Sequence, residues 1–188
     1  MGAPAHLQTL YEALEALPEG VVGEVIDGQL YAHPRPAAVH ALISSRLGSD
    51  LIGPFDRGRG GPGGWWILDE PEIHFHPNAE VMVPDIAGWR RARMPVLPED
   101  QRFTTVPDWI CEILSPTTAS KDREVKMPRY AHFGVAYAWL VDPKTRTVAA
   151  YTRDATGTWQ PTARAEGSQP IVAPPFEAVA VPPPWAES

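Results

Sequence analysis

The sequence predicts an α/β protein: one mixed β-sheet with a helix on each face, preceded by an N-terminal helix and a β-hairpin. Three observations support that class. Asp27-Gly28 separates two short strand-like runs, as in a two-residue hairpin. Residues 109–114 are almost continuously apolar, as in a central strand covered on both faces. Segments of helical period are interleaved with these strands, which is the pattern of a layered sheet.

The elements follow in order. Leu7, Leu10, Tyr11, Leu14 and Leu17 recur at helical spacing, and Pro18-Glu19-Gly20 ends that helix. Residues 21–26 and 29–32 are the hairpin strands, and Pro34-Arg35-Pro36 breaks the pattern. A longer helix is expected over 37–51, with Val39, Leu42, Ile43, Leu47 and Leu51 as its apolar stripe. Residues 53–64, rich in Gly and Pro, read as a mobile loop. Strands are expected over 65–68, 72–76 and 80–87, then a loop over 94–107. After the central strand comes a helix over 120–133 that closes at Gly134, with Pro128 expected to kink it or delay its start. A strand over 137–141 and two edge strands, 147–151 and 158–162, complete the sheet. The division is therefore a helical extension (1–20), a main domain (21–165) and a proline-rich segment (166–188). That last segment either packs on the domain or trails from it as a tail.

The 188 residues suit one domain, and an apolar share of 44% is ordinary for a globular chain. No apolar run reaches the roughly 18 residues of a membrane span, and residues 1–6 lack a secretory pattern. Cys111 is the only cysteine, which fits a reducing, cytoplasmic setting. The net charge of −7 argues against tight, non-specific nucleic-acid binding. It leaves room for a carboxylate site that a cation offsets locally.

The chemistry centres on two acids and a lysine. Asp85 and Glu112 each interrupt an apolar strand, where a charge is costly unless paired. Lys126 ends the run Lys121-Asp122-Arg123-Glu124-Val125-Lys126. Two converging carboxylates hold a divalent cation, and an ammonium beside them stabilises a developing anion. The plainer readings are a turn residue for Asp85 and a buried ion pair for Glu112. Asp122 lies four residues before Lys126 and is expected to orient it, whereas Lys121, five before, is not expected to share its face. Arg90, Arg91, Arg93 and Arg102 form a basic cluster that is either a solvated loop or a phosphate contact. His74 and His76 alternate on one strand without a third ligand, and so read as hydrogen-bonded or solvated. Ser115 with Pro116 reads as a turn. Cys111 points away from Glu112, into the core.

At this point the chain resembles a known family. The residues are Val83-Pro84-Asp85-Ile86, Pro107-Asp108-Trp109-Ile110-Cys111-Glu112-Ile113-Leu114-Ser115-Pro116, Asp122-Arg123-Glu124-Val125-Lys126, Tyr130-Ala131, Gly134-Val135 and Trp139-Leu140-Val141-Asp142-Pro143. Together they resemble the Uma-type restriction endonucleases, a bacterial group within the PD-(D/E)XK nuclease superfamily. Glu24-Val25-Ile26-Asp27-Gly28 resembles the family's opening hairpin. The resemblance implies a restriction-endonuclease-like core and Mg²⁺-dependent phosphodiester hydrolysis, with Mn²⁺ as a substitute. It implies a nucleic-acid partner, DNA before RNA. Asp85 and Glu112 match the metal-binding acids, with the Ile113 carbonyl as a further ligand. The superfamily lysine two residues after the second acid is replaced by Leu114, and Lys126 on the next helix matches instead. Glu24 matches an additional acid that holds a metal-bound water or the lysine. Arg90, Arg91, Lys121, Arg123 and His40 are candidate substrate contacts. A homodimer is expected, as the commonest symmetric assembly. The rival readings are a nuclease-fold binding or assembly module without turnover, and a hydrolase of another phosphate ester.

Overall fold

The computed structural model describes residues 9–34 and 37–186. Leu7 of the first expected helix and the Arg35-Pro36 break lie outside them. Helix α1 (Leu10–Glu15) starts in a capping box, where Thr9 Oγ1 accepts from the Glu12 N–H and the Glu12 carboxylate accepts from the Thr9 N–H. Strands β1 (Val21–Ile26) and β2 (Gln29–Pro34) form the expected hairpin. Asp27 and Gly28 at its turn have φ of 51° and 72°, both positive as a type I′ turn requires.

The strands divide into two mixed sheets rather than one. The others are β3 (Trp65–Asp69), β4 (Glu72–His76), β5 (Glu80–Met82), β6 (Ile86–Arg90), β7 (Arg102–Phe103), β8 (Trp109–Ile113), β9 (Tyr137–Asp142), β10 (Thr147–Arg153) and β11 (Trp159–Glu166). One sheet runs β2-β1-β5-β4-β7 and the other β11-β10-β9-β8-β6-β3. The run 80–87, expected as one strand, breaks at Val83-Pro84-Asp85. Pro84 has no N–H for a ladder, so β5 stays in the first sheet and β6 enters the second. Asp85 therefore sits where the chain crosses between sheets. The region 94–107 is not all loop, since β7 pairs with β4.

The second sheet is covered on both faces. Helix α2 (Ala38–Leu51) continues into a π turn (Ile52–Asp56) that contains Pro54. Its buried stripe is Ile43, Leu47 and Leu51, while Val39 and Leu42 are 63% and 49% exposed, so the stripe is narrower than the letters suggested. This face also holds Trp65, Trp109, Cys111 and Trp139. Of the two alternatives for the proline-rich segment, the structure has it packed on the domain, as part of the same core. Phe176 is fully buried there, and Arg46 donates to the carbonyls of Pro184 and Ala186.

The other face packs against the first sheet and a second long helix. That helix comprises α3 (Ala119–Lys121), a π turn (Asp122–Lys126) and α4 (Met127–His132). Pro128 supplies no N–H to the preceding turn, and the ladder widens there instead of ending. No helix among the described residues is long and apolar enough to cross a membrane.

Candidate active site

Four elements bring the acids and lysines together. Ile86 pairs with Cys111 across β6 and β8, which sets Asp85 beside the C-terminal end of β8. Asp85 Oδ2 accepts from the Ile113 N–H at 2.6 Å. Glu112 alternates with Cys111 and Ile113, so it faces α4 while they face α2. Tyr130 on α4 donates to Glu112 Oε1 at 2.6 Å, and Lys126 Nζ lies 2.8 Å from the same oxygen. Lys126 also donates to the Val83 carbonyl at 2.9 Å and pairs with Glu24 Oε1 at 2.8 Å. Glu24 Oε1 accepts from the Val83 N–H as well, and its Oε2 takes Lys121 at 2.7 Å.

Lys121 and Lys126 thus meet at one carboxylate, which corrects the expectation that they occupy different faces. That expectation assumed α-helical rotation, whereas the intervening π turn places residues five apart on one side. Asp122, expected to orient Lys126, makes no ion pair with it among the described residues. Glu24 has both oxygens occupied by lysines and backbone, so it acts here on the lysines.

These contacts and burial together shift the acids and the lysine from their ordinary values. Burial pushes Glu24 up, but Lys126, His33 and Lys121 outweigh it and hold the carboxyl well below its usual range. Burial alone would lower Lys126, yet Glu112 and Glu24 keep it charged, well above the ordinary lysine value. Burial raises Glu112 strongly, Lys126 opposes it, and Asp122, Asp85 and Glu24 add to the rise. Tyr130 is raised by burial and by Glu112.

A cleft of about 390 Å³ opens on this cluster, lined by His40, Asp85, Glu112, Lys121, Asp122 and Lys126 among others. His40 Nε2 lies 3.1 Å from Asp85 Oδ2, while its Nδ1 is buried without a hydrogen bond. Burial lowers the His40 pKa, but the Asp85 hydrogen bond and charge, with a contribution from the Ile113 backbone, raise it overall.

Arg90 and Arg91 lie at the other end of β6 from Asp85. Arg90 stacks on Trp65. Arg91 pairs with Asp56 at 2.6 Å and stacks on Trp66. Arg123 is half-exposed, 3.9 Å from Asp142. The remaining minor expectations hold: Ser115 caps a turn with Thr117 and Thr118, Cys111 is core, and buried His74 bonds Glu72. A bulge between His74 and His76 leaves the second histidine exposed instead of alongside the first. Sequence reasoning gave no role to Tyr130 or His33. Only the Tyr130-Ala131 match to the family pointed toward the former.

Among the described residues, no group of three or more His, Cys, Asp and Glu side chains is placed to hold a metal ion. Among the oxygen donors that line the cleft are two carboxylates, Asp85 and Glu112. Both offer hard oxygens, and Mg²⁺ takes one or two carboxylates and completes its shell with water and phosphate. Both donors to Glu112 meet Oε1, which leaves the lone pairs of Oε2 for a ligand from the cleft.

Comparison with known proteins gives the fold and the family. A crystal structure described as a putative nuclease belonging to DUF820, from Anabaena variabilis ATCC 29413, superimposes with a TM-score of 0.73. The match covers 93% of this chain and 94% of that one at 24% identity, and it shows the fold. An uncharacterized protein, slr1290, from Synechocystis sp. (strain ATCC 27184 / PCC 6803 / Kazusa) is 27% identical over 140 residues, 72% of this chain and 68% of its own. Residues 9–182 match the family described as "Uma2: Putative restriction endonuclease", and the chain belongs to that family.

Proposed function

We propose that the protein is a divalent-metal-dependent endonuclease that hydrolyses nucleic-acid phosphodiester bonds, with Mg²⁺ the natural cation, Mn²⁺ a substitute and DNA the preferred substrate. The observation that carries this reading is the convergence of Asp85, Glu112 and Lys126 on one cleft, with Lys126 2.8 Å from Glu112. A lysine remote from the acids would have favoured the module without turnover.

A divalent cation held by Asp85, Glu112 and the Ile113 carbonyl would act as a Lewis acid on the scissile phosphate and its attacking water. The protein's own groups divide the remaining work. Lys126 stays protonated between Glu112 and Glu24, so it donates hydrogen bonds and offsets developing negative charge instead of taking a proton. Glu24 fixes the Lys126 ammonium, and Tyr130 fixes the Glu112 carboxylate. Lys121, at the cleft wall, brings a second positive charge to the incoming phosphate.

The test is cleavage of mixed DNA and RNA with Mg²⁺ or Mn²⁺ by wild type, Glu112→Ala and Lys126→Ala. Metal-dependent cutting that falls at least about 100-fold in both variants is expected. Asp85→Asn, at the partly exposed wall, replaces Glu112→Ala if the buried change unfolds the protein. Cutting lost only in Glu112→Ala moves the charge role to Lys121 or Arg123. No cutting and no metal binding by calorimetry returns the protein to the non-catalytic module. The proposal includes a homodimer, and a monomeric mass in solution ends that part.

A further inference from the structure

A second cavity, of about 530 Å³, lies next to the acid cleft and exceeds it in size. Ile86 lines this cavity and Asp85 lines the cleft, so the two spaces adjoin across one peptide. Helix α2 joins them as well. His40 faces the cleft, and Ser44, Ser45 and Ser49, further along the helix, face the cavity. Arg57 and Arg59 complete its polar wall.

Both arginines are uncommitted. Their side chains are exposed and make no ion pair, hydrogen bond or ring contact among the described residues. Their backbone, however, is pinned. The Arg57 N–H donates to the Ile52 carbonyl at 3.0 Å, the Arg59 N–H to Gly53 at 2.9 Å and the Gly63 N–H to Pro54 at 2.9 Å. Gly61 packs so closely that a Cβ there would stand 2.5 Å from Pro54 Cβ. Two free guanidiniums on a held backbone are pre-organised for an anion. Asp69 is the one carboxylate among the lining residues, and Asp56, beside Arg57, is already taken by Arg91.

We propose that this cavity is the backbone track of the nucleic-acid substrate. Phosphates beyond the scissile one lie against the hydroxyls of Ser44, Ser45 and Ser49 and the guanidiniums of Arg57 and Arg59. The assignment rests on the nuclease reading of the adjoining cleft. From His40 to Ser49, α2 rises about 13 Å, which spans roughly four phosphates of a duplex strand at about 3.4 Å each. Hydroxyls and guanidiniums are the usual phosphate donors, and such contacts position a strand without reading its sequence. An acidic chain needs a local basic surface of this kind to hold a polyanion.

The test is fluorescence anisotropy of a labelled oligonucleotide with Ca²⁺ in place of Mg²⁺, over a range of salt. Arg57→Ala/Arg59→Ala should weaken binding about tenfold or more at low salt, equally for different sequences, and lower the salt slope by about two. Arg146→Ala/Arg164→Ala, which removes the same two charges outside the cavity, should do neither. Equal losses in the two double variants overturn the track, as does a wild type that binds no oligonucleotide. An oligoglutamate peptide bound as tightly as the oligonucleotide also overturns it, in favour of an acidic protein partner. Hydrolysis of bis-p-nitrophenyl phosphate by the wild type reads the catalytic proposal separately, because that diester has no strand to track. Activity there with unaltered oligonucleotide binding in the variant defeats the track alone. Loss of binding in the variant without diester hydrolysis supports the track and defeats the nuclease reading.

Discussion

Lys121 and Lys126 hold opposite oxygens of the Glu24 carboxylate, at 2.7 and 2.8 Å, although five residues separate them. On an α-helix they would point about 140° apart. The π turn between them closes that angle, and such turns recur at functional sites. Glu24→Gln should therefore destabilise the protein by about 3–5 kcal/mol, because Lys126 stays buried with one carboxylate fewer. Lys121 is the more exposed partner, and Lys121→Ala should cost only about 1 kcal/mol. Urea unfolding of both variants checks this. Equal losses would show that Lys126 is not the main partner of Glu24.

The same carboxylate gives a pH signature. The folded pKa of Glu24 lies below its ordinary value of 4.5. Its contribution is then fully present above that value and is lost as pH falls through the folded pKa. The stability gap between wild type and Glu24→Gln should stay level from about pH 7 to pH 5 and narrow below about 4.5. Urea midpoints measured across this range would contradict the assignment if the gap widened on acidification.

On the proposed function, the hydrogen bond from Tyr130 positions the Glu112 carboxylate. Tyr130→Phe removes the 2.6 Å bond to Glu112 Oε1 while keeping the ring that packs near Phe75. A hydrogen bond to a charged group contributes about 1.5–3 kcal/mol, and loss of that order is expected in stability. Cutting should fall about tenfold, as a loosened Glu112 costs about 1.4 kcal/mol of barrier. The discriminating readout is the cation affinity from calorimetry. A stability loss with unchanged affinity and rate would make Tyr130 structural only.

What was legible in the sequence was local and periodic. The Asp27-Gly28 turn, the buried run of β8 and the alternation that sends Glu112 and Cys111 to opposite faces all depend on near neighbours. Asp85, Glu112 and Lys126 stood out as charges set against apolar strands and the helix after them, Glu24 came from the family resemblance, and Lys126 meets both glutamates. Four features were not legible because each depends on a departure from a regular period or on distant partners. Pro84 divides an apparently single strand between two sheets. The π turn brings Lys121 to Glu24 beside Lys126, and no α-helical spacing rule foresees it. Val39 and Leu42 carry the right letters for a core stripe, yet α2 turns only its Ile43-Leu47-Leu51 edge inward. Arg90 and Arg91 follow Asp85 closely in sequence, but β6 carries them to its far end, where Trp65, Trp66 and Asp56 engage them.

Phe176 belongs to no periodic segment, and its importance is entirely tertiary. Its ring centroid lies 4.6 Å from Phe55, 5.0 Å from Trp65, 4.9 Å from Trp109 and 5.7 Å from Trp139. It thereby ties the C-terminal segment to β3, β8 and β9 of the second sheet and to the π turn after α2. Phe176→Ala should cost about 3–5 kcal/mol, the range for emptying a buried aromatic site. Ending the chain after Glu166 should be worse, since it uncovers the same tryptophans and removes Ile171, Ala173 and Val181 from that core as well. Thermal unfolding with a hydrophobic dye reads both changes. A trailing tail would instead leave the melting temperature of the shortened chain unchanged. Because the ring contacts of Phe176 are with residues that do not line the cleft, cutting per folded molecule should be preserved in Phe176→Ala. A loss of rate exceeding the loss of folded protein would mean that this core sets the position of α2, and with it His40, against Asp85.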